Sequence, residues 1–344
     1  MHKRLLRILL LALIAVMLTG FYDDYPIDEN VLPITDLSIP NKLYWLEAFA
    51  VDSKTDRTIC LMEYDLRSHE LRRAATAEPD DYDDDRSLDM VQTNHSGGAV
   101  VVQTANDRDF KIYAFDESGS FRCQFAGSAD QIDDVDAIYD GRMYYRSGRT
   151  ARVRDLSTGA ERQVLDNVGW AMCISLDGKY FNCERLDDTR FKIEIYSDQG
   201  YVSKEFGFPE NSELGSCRCA VWKDADTVLL PISIRLKDGR RVTYLYGYSV
   251  REGALKPYTT RHGECIVLES THTDLLQANG LQIDRSGEYI SYVSYKNALF
   301  SIKAENSRDI YVQSLIDGKK YLVYSMLTEQ NSYAAGNCTK VVWQ

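Results

Sequence analysis

The chain has 344 residues, 44% of them hydrophobic, which is enough for a sizeable core and by length alone would allow two domains. A formal net charge of −12 argues against nucleic acid as a partner, because phosphate binding needs clustered Lys and Arg. The same balance argues against an electrostatic hold on anionic lipid, and suits an extracytoplasmic protein or one with basic partners.

Residues 1–22 read as a signal peptide or a short signal anchor. His2, Lys3, Arg4 and Arg7 form a positive start, and Ile8 to Gly20 is an uncharged run of 13 residues. That run is shorter than the roughly 20 residues of a spanning helix and matches a signal-peptide core. Asp23, Asp24, Asp28 and Glu29 follow, so the charge asymmetry sends the remainder outward. Leu18-Thr19-Gly20 resembles the start of a bacterial lipobox, but Phe21 stands where its Cys is required, which excludes lipid attachment there. A cleaved signal and a retained anchor both fit these residues. Residues 23–38 read as a linker or ring-closing strand, and 39–344 as one domain.

That domain repeats. Six times an alternating strand leads into a polar turn and a second strand, with the Asp or Ser before the turn at 65, 116, 155, 197, 249 and 314. Gly stands at 119, 159, 200, 253 and 318, where such a hairpin needs positive φ. The first copy has Ser68-His69 instead, so its turn is expected to differ. A second motif, a short turn before an apolar strand, precedes most copies, as in Asp140-Gly-Arg-Met-Tyr-Tyr145, Asp177-Gly-Lys-Tyr-Phe181 and Ser286-Gly-Glu-Tyr-Ile290, with Gly98 to Val102 and Lys42 to Trp45 as looser versions. Two hairpins per 40–65 residues is the period of a propeller blade. No stretch after residue 22 sustains a helical period. The expectation is an all-β protein, a β-propeller of six four-stranded blades, with seven as the alternative. Asn337 to Trp343 and Val31 to Thr35 are the segments expected to close the ring.

Ile174-Ser-Leu-Asp-Gly-Lys-Tyr180 and Ile283-Asp-Arg-Ser-Gly-Glu-Tyr289 resemble the S-P-D-G-K-Y turn of TolB-like and related WD-type propellers, over roughly residues 39–326. Leu176 and Arg285 replace the Pro of that turn. The resemblance implies architecture, a periplasmic or cell-surface location and mostly protein-interaction roles; it brings no catalytic residue.

No nucleophile elbow, zincin, dinucleotide-binding, P-loop or C-x-x-C motif occurs, so no catalytic residue is assigned. The most distinctive polar feature is acidic: Asp81, Asp83, Asp84 and Asp85 between units one and two, and Asp133, Asp134 and Asp136, with Asp130 and Asp140, between units two and three. In a propeller these are equivalent loops of one face, which makes them a candidate ligand-binding surface for a cation or a basic partner. The spacing of Asp81, Asp83 and Asp85 resembles a calcium loop, but Arg86 and Gln92 replace the required Gly and Glu, so this is no EF-hand. A solvated acidic surface is the plainer reading. Between units five and six, His262, Glu264, His272 and Asp274 are residue types that ligate metals, though both His come from one loop. No cofactor is predicted; a divalent cation is the one alternative. Cys60 and Cys183, inside apolar strands, read as packed thiols.

The leading expectation is a non-enzymatic extracytoplasmic propeller that binds a protein, peptide or glycan at one face. A lyase or hydrolase with a metal or carboxylate site at the channel mouth is the alternative, and a membrane-anchored sensor domain is a third.

Overall fold

The computed structural model describes residues 31–50, 57–76, 88–93, 98–103, 109–115, 121–128, 132–169, 171–187, 189–198, 200–207, 213–214, 219–235, 241–271, 276–296, 306–328 and 340–344. Among them there is no α-helix and only one 3-10 turn, Ile34–Asp36. No helix among them is long and apolar enough to cross a membrane.

Six sheets form the six blades of a propeller. Blade 1 runs outward from Val342–Trp343 through Lys42–Ala50 and Arg57–Asp65 to Glu70–Thr76. Blade 2 holds Leu88–Gln92, Gly98–Gln103, Asp109–Phe115 and Phe121–Ser128. Blade 3 holds Asp134–Tyr139, Arg142–Ser147, Thr150–Asp155 and Glu161–Leu165. Blade 4 holds Ala171–Ile174, Tyr180–Arg185, Arg190–Ser197 and Gly200–Gly207. In blade 5 the long strands Thr227–Arg235 and Arg241–Ser249 are flanked by broken ones. Glu213–Leu214 and Val221–Trp222 share the inner edge, and Ala254–Pro257 and Val267–Thr271 share the outer edge. Blade 6 holds Leu276–Ile283, Tyr289–Lys296, Asn306–Ser314 and Lys320–Thr328.

The disc therefore has two distinct ends. One, the turn face, carries the hairpins that join first to second and third to fourth strands. The other, the crossover face, carries the second-to-third turns and the passages between blades.

Every strand pair foreseen around the six polar turns is present, and the ring has six blades. The first turn corrects the expectation that it differs. His69 takes φ 60°, where Gly159 takes 73° and Gly318 takes 74°. Its N–H reaches Asp65 O at 2.8 Å, as Gly159 N–H reaches Asp155 O at 2.9 Å. Asp65 Oδ1 accepts the Arg67 and Ser68 N–H groups, as Asp155 Oδ1 accepts those of Ser157 and Thr158. The local bonds of the Asp hold the turn so firmly that a non-glycine residue bears the left-handed conformation. These bonds, led by those from Ser157 and Thr158, hold the Asp155 carboxyl down at about 2.

Both predicted closing segments join sheets, at different places. Val342–Trp343 pairs with Leu43 and Tyr44 as the innermost strand of blade 1, flanked by Lys42–Gln344 backbone bonds of 2.9 Å in both directions. Val31–Pro33 adds in parallel to the outer edge of blade 6, Val31 opposite Lys320. The core lies between blades. At the seam of blades 1 and 6, Leu43, Trp45, Cys60, Val293, Ile310, Val312, Val341 and Trp343 pack as one cluster. Cys60 and Cys183 are buried among apolar side chains, as expected. Full burial contributes about 1.5–3 kcal/mol for each large apolar side chain, so the last four residues add substantially to the seam.

Among the described residues, three carboxylates are buried inside blades, each on a third strand: Glu63, Glu194 and Asp309, the last accepting the Ser325 hydroxyl. Glu63 accepts bonds from Tyr44 Oη and from Arg72 Nε and Nη2, all at 2.8 Å, with Lys42 Nζ at 3.1 Å. Burial would raise its pKa, but Arg72, Tyr44 and Lys42 together outweigh that and hold it below the usual range. Glu194 accepts bonds from Asn182 Nδ2 at 2.8 Å and Tyr201 Oη at 2.6 Å, with Lys192 Nζ at 2.9 Å. Here too burial is outweighed, by Tyr201, Lys192 and Asn182.

Candidate functional site

The innermost strands enclose a central cavity of about 800 Å³ with residues from all six blades in or next to its wall. Its apolar lining includes Met172, Ile174, Trp222, Leu281 and Trp343. Cys173 and Cys219 also line it, and Cys217 lies outside the described residues.

Three of the predicted ligand-binding residues converge at the crossover end. The segment 130–140 is not the loop that its acidity suggested. Asp134–Tyr139 is the innermost strand of blade 3, with Val135 and Ala137 buried and Asp134 and Asp136 on its other side. Asp133 precedes the strand at the crossover face, whereas Asp140 sits in the following hairpin at the turn face, at φ 49°. Asp130 lies outside the described residues.

Two cations, both missed in the sequence, meet these carboxylates. Arg146, at the end of the second strand of blade 3, stands opposite Asp134 in register and pairs with it. Its Nε lies 3.6 Å from Asp136 Oδ2. Lys340 arrives from the far end of the chain, with Nζ 3.4 Å from Asp134 Oδ1 and donating to Val135 O at 3.0 Å. Asp133 accepts the Gly148 N–H. Among the described residues, Asp133, Asp134 and Asp136 thus gather at this mouth with Arg146 and Lys340. Tyr139 lines the same wall; burial first, then Cys173 and Tyr144, push its phenol well up.

The turn-face mouth carries both signs, with Lys223 3.8 Å from Asp224. Lys223 and Arg285 line it, and Leu176 beside them is 62% exposed. Asp284 is occupied by its own turn: its Oδ1 accepts the Glu288 and Tyr289 N–H groups at 3.0 and 2.9 Å.

Asp81, Asp83, Asp84 and Asp85 lie outside the described residues. The described strands that flank them, Glu70–Thr76 and Leu88–Gln92, end and begin at the crossover face. His262 and Glu264 stand in a turn between the two pieces of the outer edge of blade 5, away from the cavity wall. His262 Nε2 accepts Arg261 Nε–H at 3.1 Å. His272 and Asp274 lie outside the described residues. Among the described residues no three His, Cys, Asp or Glu side chains gather as a metal site.

No protein-family description and no curated protein matches the sequence. Solved structures do. A protein from Lactobacillus plantarum is 12% identical with a TM-score of 0.48, covering 89% of this chain and 99% of its own. Hsv2 from Kluyveromyces lactis is 8% identical with a TM-score of 0.41, covering 83% and 98%. The tricorn protease is 12% identical with a TM-score of 0.38; the match covers 79% of this chain and only 30% of that one. Likenesses at these scores carry no functional argument, and the propeller assignment rests on the strand pairing itself.

Proposed function

We propose that this protein is a non-enzymatic, extracytoplasmic propeller that binds a basic protein or peptide, or a glycan, at the crossover mouth of its central cavity. The observation that supports it is the gathering of Asp133, Asp134 and Asp136 there, with Arg146 and Lys340 shared among them. A ligand cation can take the place of either lysine or arginine, and the apolar wall behind can hold the rest of a side chain or a sugar face. Residues 1–22 direct export and are either cleaved, leaving a chain that begins between about residues 20 and 25, or kept as an anchor. Kinship with TolB-like propellers is part of this reading and rests on the Ser175-Leu-Asp-Gly-Lys-Tyr180 turn.

Binding to the folded chain raises thermal stability by mass action. The test is a melting series with calcium, magnesium and a lysine-rich peptide, on wild type, on Asp134→Asn/Asp136→Asn and on Asp83→Asn/Asp84→Asn/Asp85→Asn. A peptide-dependent rise lost in the first variant supports the channel mouth. The same rise in all three proteins removes both acidic segments as sites. Mass spectrometry of the exported chain fixes its first residue.

A further inference from the structure

We infer that, when residues 1–22 stay as an anchor, the disc is held with its turn face against the bilayer and its acidic crossover mouth pointing away. The inference rests on the anchored form of the reading above, and is carried by the place where the described chain begins.

Val31–Pro33 runs parallel to the outer strand of blade 6, with Val31 opposite Lys320. Lys320 is the first residue after the hairpin turn at Asp317–Lys319, so Val31 stands at the turn face. The chain then turns through Ile34–Asp36 and remains at that end. Asn41 O accepts the Leu66 N–H from the hairpin of blade 1, and Lys42 opens the second strand there.

Ten residues, 21–30, separate the apolar run Ile8–Gly20 from Val31. However arranged, they span at most about 36 Å. A nine-residue strand such as Arg57–Asp65 makes the disc about 30 Å thick. Turning the crossover face to the bilayer would consume nearly the whole tether along the side of blade 6, whereas the turn face is within reach of a slack one. Charge does not separate the two faces: the turn face offers Leu176, 62% exposed, beside Lys223 and Arg285, but also holds Asp140, Asp177 and Asp224 in its hairpins. The orientation is therefore set by the length and position of the tether alone. An anchored copy would therefore present its cavity to partners in the surrounding space, not to the lipid.

The test uses the full chain in phosphatidylcholine vesicles with an acceptor dye on the lipid headgroup. A fluorescent unnatural amino acid is placed either at Leu176, on the turn face, or at Arg149, in an exposed turn of the crossover face. With a donor–acceptor pair whose transfer distance matches the disc thickness, about 30 Å, energy transfer from position 176 should exceed that from 149 by several fold. Equal or reversed transfer in chains that float with the vesicles overturns the orientation and leaves the anchor standing. Chains that do not float overturn both. A 20-residue Gly/Ser insertion between Asn30 and Val31 should erase the difference between the two positions. If the difference persists, the strap does not set the orientation and the inference fails.

Discussion

Glu63 and Asp136 are both carboxylates largely withdrawn from water, at 3% and 9% exposure, yet they are held differently. Glu63 sits inside blade 1, where three donors converge on it from neighbouring strands at 2.8–3.1 Å. Asp136 sits on the channel wall, and the Arg146 guanidinium 3.6 Å away also engages Asp134, which in turn is shared with Lys340. In the blade, Tyr44, Arg72 and Lys42 close on a single carboxylate. In the channel, Arg146 is shared by Asp134 and Asp136, and Lys340 by Asp134 and the Val135 carbonyl.

Trp343 belongs to both regions, since it lines the cavity and fills the seam of blades 1 and 6. Trp343→Ala should produce the largest loss, about 3–5 kcal/mol, as a large-to-small core change, read by denaturant unfolding. If it costs less than about 1 kcal/mol, the C-terminal strand does not hold the ring. Glu63→Gln should come next, at about 2–3 kcal/mol, because Arg72 and Tyr44 lose a charged acceptor in a buried setting. It should leave binding at the channel unchanged.

The third comparison is with pH. Glu63 and Glu194 have folded-state pKa values below the ordinary carboxylate value. Their contribution is therefore complete above about pH 4.3, the unfolded value, and is lost as pH falls through the lower folded values. Glu47 has the opposite sign: burial raises it, despite the Tyr324 hydroxyl at 3.2 Å. Its contribution is complete below the unfolded value and is lost as pH rises through the raised one. Glu47→Gln should thus melt higher than wild type at pH 7 by up to about 1 kcal/mol, with the gap closing in acid. A variant that melts lower at pH 7 contradicts the assignment. The smallest stability effect is expected for Asp134→Asn, within about 1 kcal/mol for a carboxylate 26% exposed, while affinity for a lysine-rich peptide drops at least tenfold in titration calorimetry. The reverse pattern, a large stability loss with intact binding, would make the channel carboxylates structural.

The blades were legible because each carries its own local signature. Asp65, Asp155 and Ser314 mark turns through bonds made within three residues, and the strands beside them alternate with period two. The His69 turn was misjudged because the Gly rule is a statement about conformational cost, and the bonds of Asp65 outweigh that cost. The broken edges of blade 5 left no trace, since two-residue strands such as Val221–Trp222 have no period to read. The channel site was half legible. Its carboxylates stood out by composition, and the alternation of Asp134-Val-Asp-Ala-Ile-Tyr139 was the unused signal that they lie on a strand. Arg146 and Lys340 carried no such signal, because Lys340 reaches Asp134 across 206 positions and only the closed ring brings them together.

That closure also sets an order of events. Lys42 and Gln344 exchange backbone bonds across almost the whole chain, so the first blade waits, one strand short, until the last residues have been made and delivered. During synthesis from the N-terminus this leaves the inner edge of Lys42–Ala50 exposed, a template for wrong partners until Val342–Trp343 arrives. Contacts of such long separation slow folding, while each doubling of the loop costs only about 0.6 kcal/mol in closure entropy. The price of the ring is thus kinetic: its final stitch comes late, and the finished disc has no inner edge in blade 1 from which to unravel.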